Sequence, residues 1–202
     1  AQRSRSVELG VKWELLNRQL AVTGAVFQTE MNNARVTAED GSSQNIGKKS
    51  VKGFEVGVAG NVSKSVQLFG GYTYLDAKLK DAGFTAGKPS ADNGNRFPNT
   101  PKHNLSLWAN YRPDNKLTIG LGAFAQSEAV GGYGYTTDGH LITRAIPGYV
   151  RFDAMVSYKF TPNLALQVNL QNLTNKAYYA STYSTHYATP AYGRSVIATL
   201  QA

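Results

Sequence analysis

Hydrophobic and polar residues alternate one by one in this sequence, in segments of about ten residues that recur along its length. Near the start, apolar side chains at every second position alternate with charged residues and a glycine; they are Val7, Leu9, Val11, Trp13 and Leu15. Because successive side chains of a β-strand point to opposite faces, each such strand has one apolar and one polar face. Long strands of this kind, joined alternately by tight turns and long polar loops, are typical of an antiparallel β-barrel that crosses an outer membrane.

The alternation predicts nine strands. They cover approximately 4–15, 20–32, 51–62, 66–79, 101–112, 117–127, 148–160, a segment that begins at 164, and 192–202. Short turns follow the first, third, fifth and seventh strands, and long loops are expected at about 33–50, 80–99, 128–147 and 172–191. In bacterial barrels the short turns are periplasmic and the long loops extracellular, so the C-terminus is expected on the periplasmic side.

The odd number of strands has a consequence for closure. A single-chain antiparallel barrel closes with an even number of strands, and unpaired strand edges are not tolerated in hydrocarbon. Nine strands therefore predict part of a larger barrel, whose N-terminal portion lies outside this sequence. The polar face, which includes Glu55, Arg151 and Asp153, is expected to face water or a plug domain inside that barrel.

Composition excludes several other classes of protein. The 202 residues include no Cys, which excludes disulfides and thiolate metal sites, and no apolar run approaches the ~18 residues of a membrane-spanning helix. The net charge of +8 fits either a solvated surface or attraction for anionic ligands, and its scattered basic residues do not predict nucleic-acid binding. Neither a G-x-S-x-G nucleophile motif nor a phosphate-binding glycine loop is present, so no catalytic residue, resident cofactor or metal site is expected.

Four segments carry more specific patterns. They begin at Val7, Ser50, Phe97 and Asn169 and read VELGVK, SVKGFE, FPNTPKHNLSLW and NLQNLTNKAYY. Each resembles a signature of the TonB-dependent outer-membrane receptors, and the four occur in the order in which that family has them. Within the family the sequence looks most like the siderophore receptors, with the catecholate type preferred.

The resemblance implies a barrel of about 22 strands that encloses an N-terminal plug. Residues 1–202 would be the C-terminal portion of that barrel and would supply its last nine strands. About thirteen further strands, the plug and the segment that contacts TonB would lie outside the chain. The implied function is the uptake of a ferric siderophore, energised through TonB, in the bacterial outer membrane, with lipid and lipopolysaccharide as surrounding partners. The ferric siderophore is then the transported ligand, and no covalently bound cofactor is expected.

The long loops carry the candidate ligand-binding residues. Aromatic faces and fixed cations suit an iron chelate that is both aromatic and anionic, because rings stack and cations neutralise charge. The candidates are Arg96, Tyr133, Tyr135, Arg144, Tyr178, Tyr179, Tyr183 and Tyr187. Tyrosines also form the interfacial girdle of any barrel, and that interpretation stays open for each of them.

Other conspicuous residues favour structural roles. The stretch from Asn172 to Tyr179 is interpreted as strand-end packing and a loop anchor, Trp108 as a residue that packs on the plug, and His103 as a hydrogen-bonding residue at a strand entry. Two alternative functions remain for the whole protein. One is a passive porin-like channel, and the other is an adhesion or structural outer-membrane barrel.

Overall fold

The computed structural model describes residues 1–183 and 186–202 and contains fifteen β-strands over these ranges. In chain order they are β1 (Arg3–Leu15), β2 (Leu20–Thr37), β3 (Ser43–Asn61), β4 (Val66–Asp81), β5 (Phe84–Thr85), β6 (Lys88–Pro89), β7 (His103–Tyr111), β8 (Leu117–Gln126), β9 (Ala129–Tyr135), β10 (Leu141–Ile146), β11 (Tyr149–Thr161), β12 (Leu164–Gln171), β13 (Tyr179–Tyr183), β14 (Tyr187–Pro190) and β15 (Ser195–Gln201). No helix among the described residues is long and apolar enough to cross a membrane.

Nine of these strands form one antiparallel sheet, which confirms the predicted number. Its order is β1-β2-β3-β4-β7-β8-β11-β12-β15, so each long strand pairs with the next long strand in the chain. The six short strands pair as the hairpins β5–β6, β9–β10 and β13–β14, and all three hairpins lie in the long connections of the sheet. We call the end of the sheet that carries these connections the loop end.

The prediction of a long loop over 33–50 is wrong. Strand β2 continues to Thr37 and β3 already begins at Ser43, with Thr37 and Ser43 paired across a short connection. Bulges interrupt the pairing around Ala34, and Asn33 has a left-handed φ of 58°. The physical reason is that backbone pairing does not require an apolar face. Outside the segment in which one face of the sheet is apolar, which we call the apolar band, both faces of a hairpin can be polar. The strand therefore continues although the alternation that identified it has ended.

The register places the apolar residues of neighbouring strands on one face of the sheet. Leu9 pairs with Val26, Val26 with Phe54, and Phe54 with Tyr74, which gives a continuous row across four strands. This apolar face is open, and Leu9 is 72% exposed. A solvent-exposed apolar face of this extent is what a lipid-facing barrel wall requires.

The buried apolar side chains are concentrated at the loop end. Among the described residues the buried apolar side chains are Ala34, Ala38, Ala77, Ala129, Val130 and Ile146. All of them lie near the loop-end termini of β2 and β4 or in the β9–β10 hairpin, with Ala38 directly after β2. A single sheet cannot bury its own faces, so these apolar side chains are buried where the loops fold against one another.

The turns at the opposite end are short and held by local hydrogen bonds. Between β7 and β8, Asp114 Oδ1 accepts hydrogen bonds from the backbone N–H groups of Leu117 at 2.8 Å and Lys116 at 2.7 Å. These donors stabilise the carboxylate and hold the pKa of Asp114 below its ordinary value. Between β1 and β2, three successive residues from Leu16 to Arg18 have left-handed φ values of 51°, 54° and 66°.

Candidate ligand-binding site

The β9–β10 and β13–β14 hairpins are tied together at the loop end by Asn99. Its side-chain Oδ1 accepts hydrogen bonds from the N–H and the hydroxyl of Thr182, at 2.9 and 2.8 Å, and its Nδ2 donates to the Thr182 carbonyl at 2.9 Å. The backbone N–H of Asn99 donates to the carbonyl of Val130 at 2.7 Å. Asn99 therefore links β9 to β13, and these hydrogen bonds hold the two hairpins that carry candidate residues in a defined position relative to each other.

Arg96 and Tyr133, two of the predicted site residues, are in direct contact. The backbone N–H of Arg96 donates to the Tyr133 hydroxyl at 3.0 Å. The Arg96 guanidinium is 2.8 Å from the carboxylate of Glu128, so its charge is already balanced within the chain. This pair therefore braces the loop between β4 and β7 against the β9–β10 hairpin. Its cation is less available for an anionic ligand than the sequence suggested.

Tyr183 and Tyr187 form an exposed aromatic stack across the β13–β14 hairpin. Their ring centroids are 5.3 Å apart with an interplanar angle of 19°, and the residues are 62% and 63% exposed. Stacking across this hairpin follows from the register, in which the two residues are direct partners. The pair therefore presents aromatic surface to solvent at the loop end.

Arg144 lies beside this stack. A groove of about 150 Å³ runs between the two hairpins, and its lining includes Arg144, Thr182, His186 and Tyr187. Over residues 1–183 and 186–202 Arg144 makes no ion pair, in contrast to Arg96. A cation without a counter-charge next to exposed aromatic rings is the combination that an anionic aromatic ligand would need.

Tyr178 lies in a different place, on the polar face of the sheet. Its hydroxyl accepts a hydrogen bond from the guanidinium of Arg151 at 3.1 Å, and its ring lies 4.1 Å from the ring of Tyr149. Arg151 is also 2.9 Å from Asp153 Oδ2, and its guanidinium lies 4.7 Å above the ring of Phe124. Tyr178 thus belongs to a cluster of one cation and three aromatic rings, balanced by one carboxylate.

Of this cluster, only Tyr178 was among the residues that the sequence predicted for the site. The sequence carried part of the signal, because Arg151 and Asp153 stand two residues apart on the polar face of one strand. Tyr149 and Tyr178 are separated by 29 positions in the sequence, and Phe124 lies on a different strand, β8. Only the folded chain brings these rings to the same cation.

Asn172 explains how the loop after β12 is anchored. Its backbone N–H donates to Asp153 Oδ1 at 2.8 Å, and its side chain accepts from the Lys176 N–H at 2.8 Å and donates to the carbonyls of Lys176 and Tyr192 at 2.9 and 3.3 Å. The residue is 1% exposed and has a left-handed φ of 53°. Asparagine tolerates this conformation better than most residues do. The motif that begins at Asn169 therefore works as a loop anchor that is connected to the Arg151 cluster through Asp153.

The remaining candidates lie apart from one another. Tyr135 pairs with Leu141 near the tip of the β9–β10 hairpin, and Tyr179 pairs with Pro190 at the base of the β13–β14 hairpin. Both are exposed. The eight candidates thus fall into the Arg96–Tyr133 contact, the Arg144–Tyr183–Tyr187 group, Tyr178 in the Arg151 cluster, and these two single tyrosines.

His103 and Trp108 lie on opposite faces of β7. His103 is on the apolar face, where its Nδ1 and the Tyr72 hydroxyl form a hydrogen bond of 2.7 Å. Trp108 is on the polar face and donates from Nε1 to Asn110 Oδ1 at 2.7 Å. No group of three or more His, Asp or Glu side chains able to hold a metal ion occurs within the described part of the chain.

Comparison with known proteins agrees with this architecture. A family model described as "TonB dependent receptor-like, beta-barrel" matches residues 1–173. Over 202 residues the chain is 40% identical to the probable TonB-dependent receptor BfrD of Bordetella pertussis, a match that covers 99% of this chain and 27% of the relative. It is 38% identical over 201 residues to the probable TonB-dependent siderophore receptor PiuA of Acinetobacter baumannii, covering 97% of this chain and 26% of that protein.

Solved structures show the same similarity. The crystal structure of PiuA matches with a TM-score of 0.85 at 38% identity, over 98% of this chain and 28% of that one. The closed form of the ferric-catecholate import receptor Fiu from Escherichia coli K12 matches with a TM-score of 0.83 at 31% identity, over 99% and 27% of the two chains. The chain therefore spans about a quarter of the length of these relatives.

Proposed function

Because this chain belongs to the TonB-dependent receptor β-barrel family, we propose that it supplies barrel wall and extracellular loops to an outer-membrane receptor that imports a ferric siderophore. The observation that carries the proposal is its 38% identity to a siderophore receptor over nearly its whole length. The relatives' names favour this function over a passive porin-like channel or an adhesion barrel, and over an enzyme.

Residues 1–202 are proposed as the C-terminal portion of the receptor barrel. The sheet has two edge strands, β1 and β15, without a partner in the described residues, and hydrocarbon does not tolerate such edges. Further strands of the same protein would close the barrel around a plug, and contact with TonB would be made through that plug region. The share of about a quarter of the relatives' length is compatible with this arrangement.

The loop end is proposed to be extracellular. In barrels of this type the long connections are outside and the short turns periplasmic, which would place the C-terminus in the periplasm. The apolar face would then contact lipid and lipopolysaccharide, while the Arg151 cluster on the polar face would point into the barrel. The ligand would arrive at the hairpins and leave past that inner cluster.

For the ligand we propose a ferric catecholate-type siderophore. One relative, 35% identical over 188 residues, is named a catecholate siderophore receptor, and the Arg144–Tyr183–Tyr187 group offers a free cation beside stacked rings. Such a chelate is aromatic and anionic, which matches both features. The siderophore fills the coordination sphere of the iron, so the protein needs neither iron ligands of its own nor a covalent cofactor.

The proposal is tested with the full-length receptor. Arg144→Gln removes the free cation and is expected to weaken binding of a ferric catecholate about 2- to 30-fold, the range for one cation–aromatic contact. Arg18→Gln, at an exposed turn of the opposite end, is the matched control and should leave affinity unchanged. Binding is measured by calorimetry with iron-loaded and iron-free siderophore.

The two levels of the proposal fail differently. If the unaltered receptor binds iron-loaded and iron-free siderophores equally poorly, the receptor function is wrong. If it binds the ferric form but Arg144→Gln has no effect, the function stands and the assignment of Arg144 to the site is wrong.

A further inference from the structure

Towards the loop end, the face of β1 to β4 that carries the apolar rows has more cations than carboxylates. The register gives three successive charged or polar rows at the loop end. From the top downward they are Arg3-Asn32-Lys48-Asp81, Arg5-Glu30-Ser50-Lys78 and Val7-Gln28-Lys52-Asp76. The next row down is Leu9-Val26-Phe54-Tyr74, where the apolar band begins. The charged residues of this face therefore end at the row of Lys52, and the next row, that of Phe54, carries no charge.

We define the basic belt as the six cations on this face, Arg3, Arg5, Lys48, Lys52, Lys78 and Lys80. Three carboxylates lie among them. Glu30 is 3.3 Å from Lys80, and Asp76 is 3.3 Å from Lys78. The third, Asp81, accepts a hydrogen bond from the Gly83 N–H. Arg3, Arg5, Lys48 and Lys52 make no ion pair with any described residue, so the belt keeps an excess of positive charge.

An aromatic cluster marks the level at which the wall leaves hydrocarbon. Phe54 lies 5.8 Å from Tyr72 and 5.6 Å from Tyr74 between ring centroids, and Tyr74 lies 5.1 Å from His103. Aromatic side chains with a polar atom concentrate at membrane interfaces, because one end is apolar and the other is wet. The row of Lys52 lies two residues above the row of Phe54 and Tyr74. That is about 7 Å along a strand and about 5 Å along the membrane normal for a strand tilted near 45°.

For the proposed membrane position, the row of Lys52 lies at the level of the lipid headgroups, and the row of Arg5, about 5 Å higher along the membrane normal, is within reach of that level through its long side chain. We propose that the basic belt binds the phosphate groups of a phosphorylated glycolipid in the outer leaflet. The proposal rests on the membrane position in the proposed function and adds the surface and the chemistry of contact. Arg5 and Lys52 lie two strands and one row apart, which is about 12 Å between their backbones, so the two cations can engage two phosphates of one headgroup.

The experiment uses the full-length receptor in detergent and lipid A as the probe, in its bis-phosphorylated form and with the phosphates removed. Arg5→Gln/Lys52→Gln removes two exposed cations that make no ion pair in the described chain. The expected effect is about a thirtyfold loss of affinity for the bis-phosphorylated form, from about fivefold per cation near an anionic surface. Lys64→Gln/Lys116→Gln, at exposed turns of the opposite end, is the matched control and should change affinity less than twofold. Native mass spectrometry counts the bound lipid.

Several results would overturn the proposal. It is wrong if the belt variant retains lipid A like the unaltered receptor, if the control variant loses as much, or if removing the phosphates leaves affinity unchanged. If the belt variant does not fold, the salt dependence of lipid A binding is measured with the unaltered receptor instead. Its affinity for the bis-phosphorylated form must fall steeply between low and high salt, and a salt-independent affinity would contradict the proposal. Ferric siderophore binding is measured on the same samples. A receptor that binds no ferric siderophore but loses lipid A on belt substitution would disprove the uptake function and leave the basic belt standing.

Discussion

At the scale of single residues, Asn172 makes four hydrogen bonds that hold the loop after β12. It ends β12, adopts a left-handed backbone conformation and satisfies backbone groups on both sides of the loop that follows. Its own N–H is held by Asp153, which also holds Arg151. A conservative change here would therefore act on the loop and on the Arg151 cluster together.

Replacing Asn172 by alanine should destabilise this region by about 2–4 kcal/mol. The side chain makes three hydrogen bonds, each contributing about 1 kcal/mol, and alanine is disfavoured in the left-handed region by about 1 kcal/mol. Asn172→Gly loses the hydrogen bonds but keeps the backbone conformation, so its effect should be smaller. Hydrogen exchange of 173–183 and 186–191 in the full-length receptor measures both. Equal protection in Asn172→Ala and the unaltered protein would contradict the anchoring role.

Two arginines show why residue type alone does not identify a ligand-binding cation. Arg96 and Arg144 both lie in long loops and were equivalent candidates in the sequence. In the structure Glu128 neutralises Arg96, while Arg144 lines a groove beside Tyr187. The availability of a charge depends on its partners, and those partners come from other parts of the chain.

At the scale of elements, the contact between β7 and β8 depends on a tryptophan that lies over two glycines. On the polar face the indole ring of Trp108 covers Gly120 and Gly122. A Cβ at Gly120 would lie 2.6 Å from Cζ2 of the ring, and one at Gly122 would collide with the ring more closely still. The glycines therefore make the space in which the ring lies flat on the sheet, and they do so without left-handed backbone.

Gly122→Ala should displace Trp108 and lower the stability of the folded barrel by about 1–3 kcal/mol, the usual range for overpacking. Gly24→Ala is the matched control, because the nearest atom to its new Cβ would be 3.7 Å away. Thermal unfolding of the full-length receptor gives the stability, and the difference in tryptophan emission between each variant and the unaltered receptor reports displacement of the Trp108 ring. The packing argument fails if the two alanine variants behave alike in both measurements.

At the scale of the whole molecule, the sheet has one face for lipid and one for the barrel interior. Leu121 lies on the apolar face, where it pairs with Ala109 and Ala154 and is 58% exposed. Ser106, on the neighbouring strand β7, lies on the opposite face and pairs with Gly71 and Phe124. The two positions differ mainly in the medium that each face would meet.

Leu121→Arg should therefore destabilise the inserted barrel by about 2–4 kcal/mol, as a cation does on the lipid face near the bilayer midplane. Ser106→Arg, exposed on the polar face, should have little effect. The folded fraction is measured in lipid vesicles by the altered gel mobility of unheated barrels. If Ser106→Arg were the more damaging of the two, the assignment of the faces would be reversed.

The sequence by itself determined the number of strands in the main sheet, the two faces of that sheet and the family. It could do so because successive side chains of a strand in a barrel wall face different media. The resulting difference in polarity appears directly in the local alternation from Val7 to Leu15. Part of the motif that begins at Asn169 likewise acts locally, because Asn172 bonds to the backbone of Lys176 four positions away.

Only the tertiary structure decided where strands end beyond the apolar band and which loop cations have a partner. Strand β2 continues through polar residues to Thr37 because it can pair with β3, not because of its pattern. Arg96 meets Glu128, Asn99 meets Thr182, and Arg151 meets Tyr178 across 32, 83 and 27 positions of the chain. Interactions at such separations depend on how the hairpins fold over one another, and no local pattern in the sequence records that.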